Sequence, residues 1–530
     1  MAQHISIGRH INPDPASDAN FSMAANWINE CITRHPECSI TSMRAATYTG
    51  SDKRFPRRLI DVNLFGESER VVLIETGGEM IEYVTLSYCW GPIEKPVWNT
   101  TTHNLGDRKK HGISVSNLPK TLQDAVTVVC KLGYHYLWID SLCILQDSLE
   151  DWRDESARMG QYYENSVFTI SASSAETSLV GFLNTRTPAT YTPIVVPVDR
   201  GEESRGHLYV PRRPNTFETN IKLGPLSERG WVLQERLLSC GVLHYGKEQM
   251  FWECQSAQRG ESVFQDLLRD SILNPSSVAF HEYNLKRPSK PSKIVLNLLH
   301  WYGIIEDYTT RKLTKGMDKL PALSGLASEA QKQLGALYLA GLWSDKLHVG
   351  LSWIVLHDSS GCRPSIYRAP SWSWASVDGP ISYQPLGGYF PTSDGFVESA
   401  IDVIEAQTEI AASDPFGQVV GGRIVLSGQL KFARKEEMLP NKILTYPASM
   451  MGHEKMIGYY IEDEQNEFDC DILCLKLATQ PFGIGPSIPP ANIVIILEPT
   501  GSDVYRRVGS GTIWQTDWFN DSLQRIVTLI

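Results

Sequence analysis

Glu235 stands in the run Arg229-Gly230-Trp231-Val232-Leu233-Gln234-Glu235-Arg236-Leu237-Leu238-Ser239, a helical pattern that sets one carboxylate behind a basic residue and beside an aromatic one. A carboxylate in such a setting has the chemistry of a nucleophile or of a stabiliser of developing positive charge. With equal standing it is a helix-surface acid paired with Arg229 or Arg236. Two further runs, Tyr83-Val84-Thr85-Leu86-Ser87-Tyr88-Cys89-Trp90-Gly91 and Tyr136-Leu137-Trp138-Ile139-Asp140-Ser141-Leu142-Cys143-Ile144, read as aromatic-rich strands ending in small polar residues. All three segments are expected to meet in one pocket. Trp90 lies beside Gly91-Pro92 at a strand end, where a ligand contact is as reasonable as a packing role, whereas Trp231 reads first as core. Asp140 and Ser141 offer hydrogen bonds to ligand hydroxyls, or to their own backbone as Asp and Ser often do, and for Ser141 the backbone role is preferred.

The elements that must position these residues follow from hydrophobic period. Tyr83 to Tyr88 is a strand broken at Gly91-Pro92; Pro119 opens a helix with Leu122, Ala125, Val126, Val129 and Leu132 on one stripe, closed by Gly133. Tyr136 to Asp140 is the next strand. Ser148 with Asp151 caps a helix carrying Trp152, Glu155, Met159 and Tyr163, and Phe168-Thr169-Ile170 is a third strand. Residues 173–226 interrupt this rhythm and read as an insertion with short strands. It resumes with a helix near 228–238 capped by Ser227 and strands near 241–245 and 250–254. The alternation predicts an α/β fold whose sheet is mostly parallel with helices on both faces, binding ligands beyond the carboxyl ends of its strands. Residues 261–350 are expected to be mainly helical, with a break at Lys286-Arg287-Pro288-Ser289-Lys290-Pro291, and the remainder β-rich. There, Tyr367 to Ser376 alternates with period two and is expected to be a strand whose two tryptophans, Trp372 and Trp374, plug a core.

Composition limits the function classes. The 530 residues carry a net charge of −11, and the basic run Lys53-Arg54 with Arg57-Arg58 is too short to make a nucleic-acid backbone the main partner. No signal peptide or membrane span is read, and the 10 cysteines are scattered, so a reducing, cytoplasmic setting is expected. Cys31, His35 and Cys38 have ligand-like spacing, as have Cys470 and Cys474. Three ligands leave a structural zinc site one short, so packing thiols and no metal are expected.

Leu86-Ser87-Tyr88-Cys89-Trp90-Gly91, Leu118-Pro119-Lys120-Thr121-Leu122-Gln123-Asp124-Ala125, Trp138 to Ile144 with Gln146-Asp147, Asp151-Trp152 and Arg229 to Ser239 together resemble, in words and order, the fungal heterokaryon-incompatibility (HET) domain. The resemblance implies a domain over about residues 55–260, after an N-terminal lead-in of residues 1–54 and before a helical segment (261–350) and a β-rich region (351–530). It further implies self/non-self recognition ending in programmed cell death, with an incompatibility partner protein and homo-oligomeric assembly. Strands Leu86-Ser87-Tyr88 and Phe168-Thr169-Ile170 and the Glu235 helix also resemble Toll/interleukin-1 receptor (TIR) domains, a flavodoxin-like fold in which many members cleave NAD. That likeness implies that Glu235 supports cleavage of the nicotinamide–ribose bond, with NAD as substrate and no resident cofactor. Under it, Trp90 and Trp231 would stack on the bases, Asp140 and Ser141 would face ribose, and Ser87, Tyr88, Gly91 and Arg229 would line the rest of a nucleotide-sized cleft. The alternative implied by the same kinship is a signalling or nucleotide-sensing module that acts by homotypic assembly without catalysis.

Overall fold

The computed structural model describes residues 11–35, 38, 55–92, 97–186, 194–199, 205–210, 217–262, 298–356, 361–383, 398–434, 438–440, 457–464, 472–480 and 490–530. The expected Lys286 to Pro291 break, Lys53-Arg54 and Cys470 lie outside the described residues. The chain divides into two compact units, Met1–Ile294 and Val295–Ile530.

The first unit opens with helix α1 (Asp18–Arg34), which starts where the Ser17 hydroxyl accepts from the Asn20 N–H. Its stripe of Phe21, Ala24, Ile28 and Cys31 is buried, the spacing of an amphipathic helix laid on a core. Strands β1 (Arg58–Asp61), β2 (Arg70–Glu75), β3 (Val84–Ser87) and β4 (Ile113–Ser114) follow. Helix α2 (Lys120–Lys131) begins after Pro119 and buries Leu122, Ala125, Val126 and Val129. It ends at Gly133, whose φ of 79° lies in the left-handed region that favours glycine.

After β5 (Tyr136–Trp138), the helix expected to hold both Trp152 and Tyr163 is two: α3 (Leu149–Ser156) and α4 (Met159–Asn165). Ser148 caps the first through the Asp151 N–H, as expected. The break comes where the Arg158 N–H donates to Glu155 O at 3.0 Å, a tightened last turn that ends α3. Strand β6 (Thr169–Ser171) comes next, and the expected insertion holds a separate hairpin of β7 (Ile194–Asp199) and β8 (Arg205–Val210). The next helix, α5 (Gly230–Leu238), is entered from Arg229 without a side-chain cap. Ser227 is not its cap; that hydroxyl donates to Ile221 O at 2.7 Å and belongs to the preceding tight turn, Pro225–Glu228. Strands β9 (Gly241–Tyr245), β10 (Met250–Cys254) and β11 (Gln258–Gly260) complete the unit.

These strands make a nine-stranded sheet in the order β11-β10-β9-β6-β3-β5-β1-β2-β4. The pairs β3–β5, β3–β6 and β6–β9 are parallel, and the flanking pairs are antiparallel. The sheet is therefore mixed, not mostly parallel. Hairpins formed by β1 with β2 and by β9 with β10 and β11 extend both sides of the parallel centre, and short connections leave room only for antiparallel pairing. Within that centre, chain order against spatial order follows the doubly wound pattern, and the direction of winding reverses between β3 and β6.

The second unit contains α6 (Leu298–Thr309) and α7 (Ser324–Leu334), then the short pairs β12 (Tyr338–Leu339) with β13 (Leu342–Trp343) and β14 (Ile354–Val355) with β15 (Ile381–Ser382). Its main sheet comprises β16 (Ile401–Ile410), β17 (Val419–Ala433), β18 (Met438–Pro440), β19 (Gly458–Glu462), β20 (Ile472–Gln480), β21 (Ala491–Gly501), β22 (Val504–Ile513) and β23 (Gln524–Leu529). Because β23 pairs with both β17 and β22, the path β17-β20-β21-β22-β23 closes into a barrel. The stretch around Trp372 and Trp374 is not the expected strand. Ser373 accepts from the Ala375 N–H and starts a single tight turn, Trp374–Ser376, a local hydroxyl–backbone bond that competes with sheet pairing. Both indoles are nonetheless fully buried, as expected of a core plug.

Candidate functional site

The parallel strands deliver Ser87 to the end of β3, Asp140 to the residues just beyond β5 and Ser171 to the end of β6. Helix α5 runs behind them and points Glu235 inward. The Ser87 hydroxyl donates a short hydrogen bond to Glu235 Oε2, and both residues are buried, Glu235 being 6% exposed. Burial lifts the Glu235 carboxyl to about 7; the Asp140 charge adds to the rise, while the Ser87 bond, the Arg229 guanidinium and Tyr163 oppose it. A carboxyl with such a value holds or releases a proton near neutrality.

Asp140 is held from three sides. Trp90 Nε1 donates to its Oδ2 at 2.8 Å, the Ser141 N–H donates to its Oδ1 at 2.6 Å, and Arg229 acts on it through charge. Burial nevertheless raises its carboxyl above the usual aspartate range. Tyr88 donates to Ser141 Oγ at 2.8 Å, which fixes Ser141 inside the protein. Gly91 has φ 87°, and a Cβ there would meet Thr177 Cβ at 2.9 Å, so the turn itself demands glycine. Ser178 pins the same turn by donating to Trp90 O at 2.8 Å.

Eight of the nine expected residues thus form one continuous group: Glu235 and Ser87 at the floor, and Tyr88, Trp90, Gly91, Asp140, Ser141 and Arg229 around it. Trp90, Gly91, Asp140 and Arg229 are half-buried and form a rim. Trp231 is half-buried one turn before Glu235 on α5. Its neighbour Val232 packs with Cys89 and Leu226 beneath the rim. The cavity beside Ser87, lined also by Thr169, Ser171, Arg236 and His244, measures about 10 Å³, room for about one water molecule. The Trp90 indole N–H is taken by Asp140.

Sequence reading missed a second polar group on the far side of that cavity. Arg236 grips Glu253 with two bonds, Nε to Oε2 at 2.7 Å and Nη2 to Oε1 at 2.8 Å, and lies over the Phe217 ring. His244 Nε2 meets Glu253 Oε2 at 3.1 Å and its Nδ1 meets Ser173 Oγ at 3.3 Å. The serine–histidine–glutamate order resembles a nucleophile relay, yet Glu253 is already satisfied by Arg236 and the serine is buried. Burial also shifts the His244 imidazole below its usual range, against the pull of Glu253. The available sequence signal is Arg236 adjoining Glu235, with His244 and Glu253 in diagonal positions of paired strands that read as apolar, where His244 faces Phe251 and Glu253 faces Val242.

No curated protein and no solved structure matches the chain. Residues 83–235, from Tyr83 just before β3 to Glu235 itself, match the family model described as heterokaryon incompatibility protein (HET), and this segment is similar to a HET domain.

Proposed function

We propose that this chain is an effector of heterokaryon incompatibility whose HET domain triggers cell death after non-self recognition, and that Glu235 supports cleavage of the nicotinamide–ribose bond of NAD. The observation that carries the reading is a carboxyl lifted to about 7, held by Ser87 at the carboxyl ends of parallel strands beneath a half-exposed rim of Trp90, Asp140 and Arg229. Perturbed acids at such positions mark functional sites more often than surface acids do. The bond to be broken already carries a cationic leaving group, so the enzyme need only steady positive charge on the ribose, a task for an ionised carboxylate. Ionised Glu235 is the competent form, and Arg229 and Ser87 favour it. The cavity beside Ser87, on the Val232 side, takes only about one water molecule.

That small cavity favours a second reading, in which the carboxylate group is an internal support and the domain signals by homotypic assembly. Glu235→Gln separates the two because it keeps shape and hydrogen bonding while removing the charge. If Glu235 is catalytic, cells expressing the variant survive and retain their NAD. If the acid is a support, killing persists with NAD undiminished in both proteins, and the enzymatic reading falls.

A further inference from the structure

The strongest unassigned chemistry lies at the edge of the first unit, where the Cys-x3-His-x2-Cys trio of the N-terminal segment meets a fourth donor that its spacing could not reveal. Cys31 occupies the last turn of α1 and His35 follows it by one turn on the same face. A tight turn, with the Cys38 N–H donating to His35 O at 3.0 Å, swings Cys38 back toward them. Cys254, the last residue of β10, completes the group. The three Sγ atoms and one imidazole nitrogen all lie within 4.8 Å of one another. Cys254 Sγ stands 3.5 Å from His35 Nδ1, close to the edge of about 3.6 Å that Zn–S and Zn–N bonds of ordinary length subtend in a tetrahedron.

We propose that Cys31, His35, Cys38 and Cys254 bind one structural zinc ion. The chemistry of the donors selects it. Three thiolates and an imidazole form a closed Cys3His set, which suits zinc and leaves no open position for catalysis. All three cysteines are buried and unbridged. Packing alone gives no reason for three thiols and a ring nitrogen to converge on a common point, since apolar side chains would fill that space without polar atoms facing one another. A divalent ion supplies the three thiolates with a counter-charge.

The placement gives the ion a task. Helix α1 lies across β9 and β10, and a second clamp beside the cysteines joins it to the next strand: Arg259 on β11 grips Glu30 of α1 at 2.7 and 3.1 Å. Zinc would fasten the other side of that seam. Cys254 directly follows Glu253, so the ion holds in register the strand that presents Glu253 to Arg236, one residue from Glu235. The N-terminal helix is thereby a fixed part of the domain edge, although it precedes the residues matched by the HET family model.

The test uses the full chain purified under reducing conditions and measures metal by mass spectrometry. One zinc per chain is expected. Cobalt substitution should give the intense visible bands of a tetrahedral thiolate site. Cys38→Ser and His35→Ala should lower the zinc content at least several-fold, His35→Cys should restore it, and Cys474→Ser, buried in the second unit, should leave it at one. Wild-type protein that holds well under one zinc after incubation with Zn2+ overturns the proposal whether or not any variant folds. So does unchanged zinc content in both Cys38→Ser and His35→Ala.

Discussion

Glu235 and Glu253 are both buried in the same domain, a residue's breadth from Arg236, and their carboxyls are driven in opposite directions. Glu253 receives a two-pronged guanidinium and a histidine ring, and these hold it far below the usual carboxylate range despite its burial. Glu235 receives a serine hydroxyl and the repulsion of Asp140, and it rises to about 7. Desolvation acts on both alike, so the difference lies in the partner. A delocalised cation bound with matched geometry offsets the loss of water, whereas neutral hydroxyl donors and the field of Arg229 do not. One acid is thereby committed to structure and the other left able to change its charge.

Removing the cation should break this contrast most severely. Arg236→Met leaves Glu253 buried without its counter-ion and should lower stability by about 3–5 kcal/mol, read from urea denaturation at pH 7. A loss below about 1 kcal/mol would mean that His244 suffices and that the proposed division between the acids is wrong.

The next largest effect carries a sign. Because the folded Glu235 carboxyl sits above its unfolded value, the native state binds the proton more tightly, and its stabilising contribution is complete below pH 4.5 and declines as pH rises to about 7. Glu235→Gln escapes that decline. Its stability should equal or trail wild type near pH 4.5 and exceed it above pH 7 by about 3 kcal/mol, the worth of a shift of this size. Parallel thermal melts across this range measure it, and a pH-independent difference would remove Glu235 as the titrating group.

Ser87→Ala is the smallest perturbation and the sharpest probe of the partner's role. Loss of its donor should cost about 1–2 kcal/mol and push the Glu235 carboxyl further up, which a carbon-13 titration of the labelled side chain would follow. A downward movement would show that Arg229, and not Ser87, governs its charge.

The parts of this site that were legible in the sequence are those whose signal is local. Ser87, Trp90, Asp140 and Glu235 stand at breaks between strand and helix, where small polar residues follow apolar runs, and period-two and 3.6-residue patterns located those breaks. The capping of α3 by Ser148 and the close of α2 at Gly133 have the same origin. The Arg236–Glu253–His244 group left little trace, because strands β9 and β10 are buried on both sides and read as continuous apolar segments in which a lone acid has no visible partner. The mixed direction of the sheet was equally hidden, since period shows that a segment is a strand but not which neighbour it takes. Around Trp372 and Trp374 the period misled, as the Ser373 hydroxyl supplied a local bond that the alternation of residue types does not reveal.

By itself the sequence determined the order of the parallel strands and of the helices after Pro119 and Arg229, the HET kinship, and which acid stands at a strand edge, for these depend on residues near one another in the chain. Only the tertiary structure decided that the cavity beside Ser87 has room for about one water molecule, that Glu253 and not Glu235 receives the two-pronged guanidinium, and that Cys254 arrives beside Cys31, His35 and Cys38 from more than two hundred positions away. The physical reason is common to all three: room, counter-charge and coordination are properties of atoms gathered from distant parts of the chain, and they exist only once packing has brought those parts together.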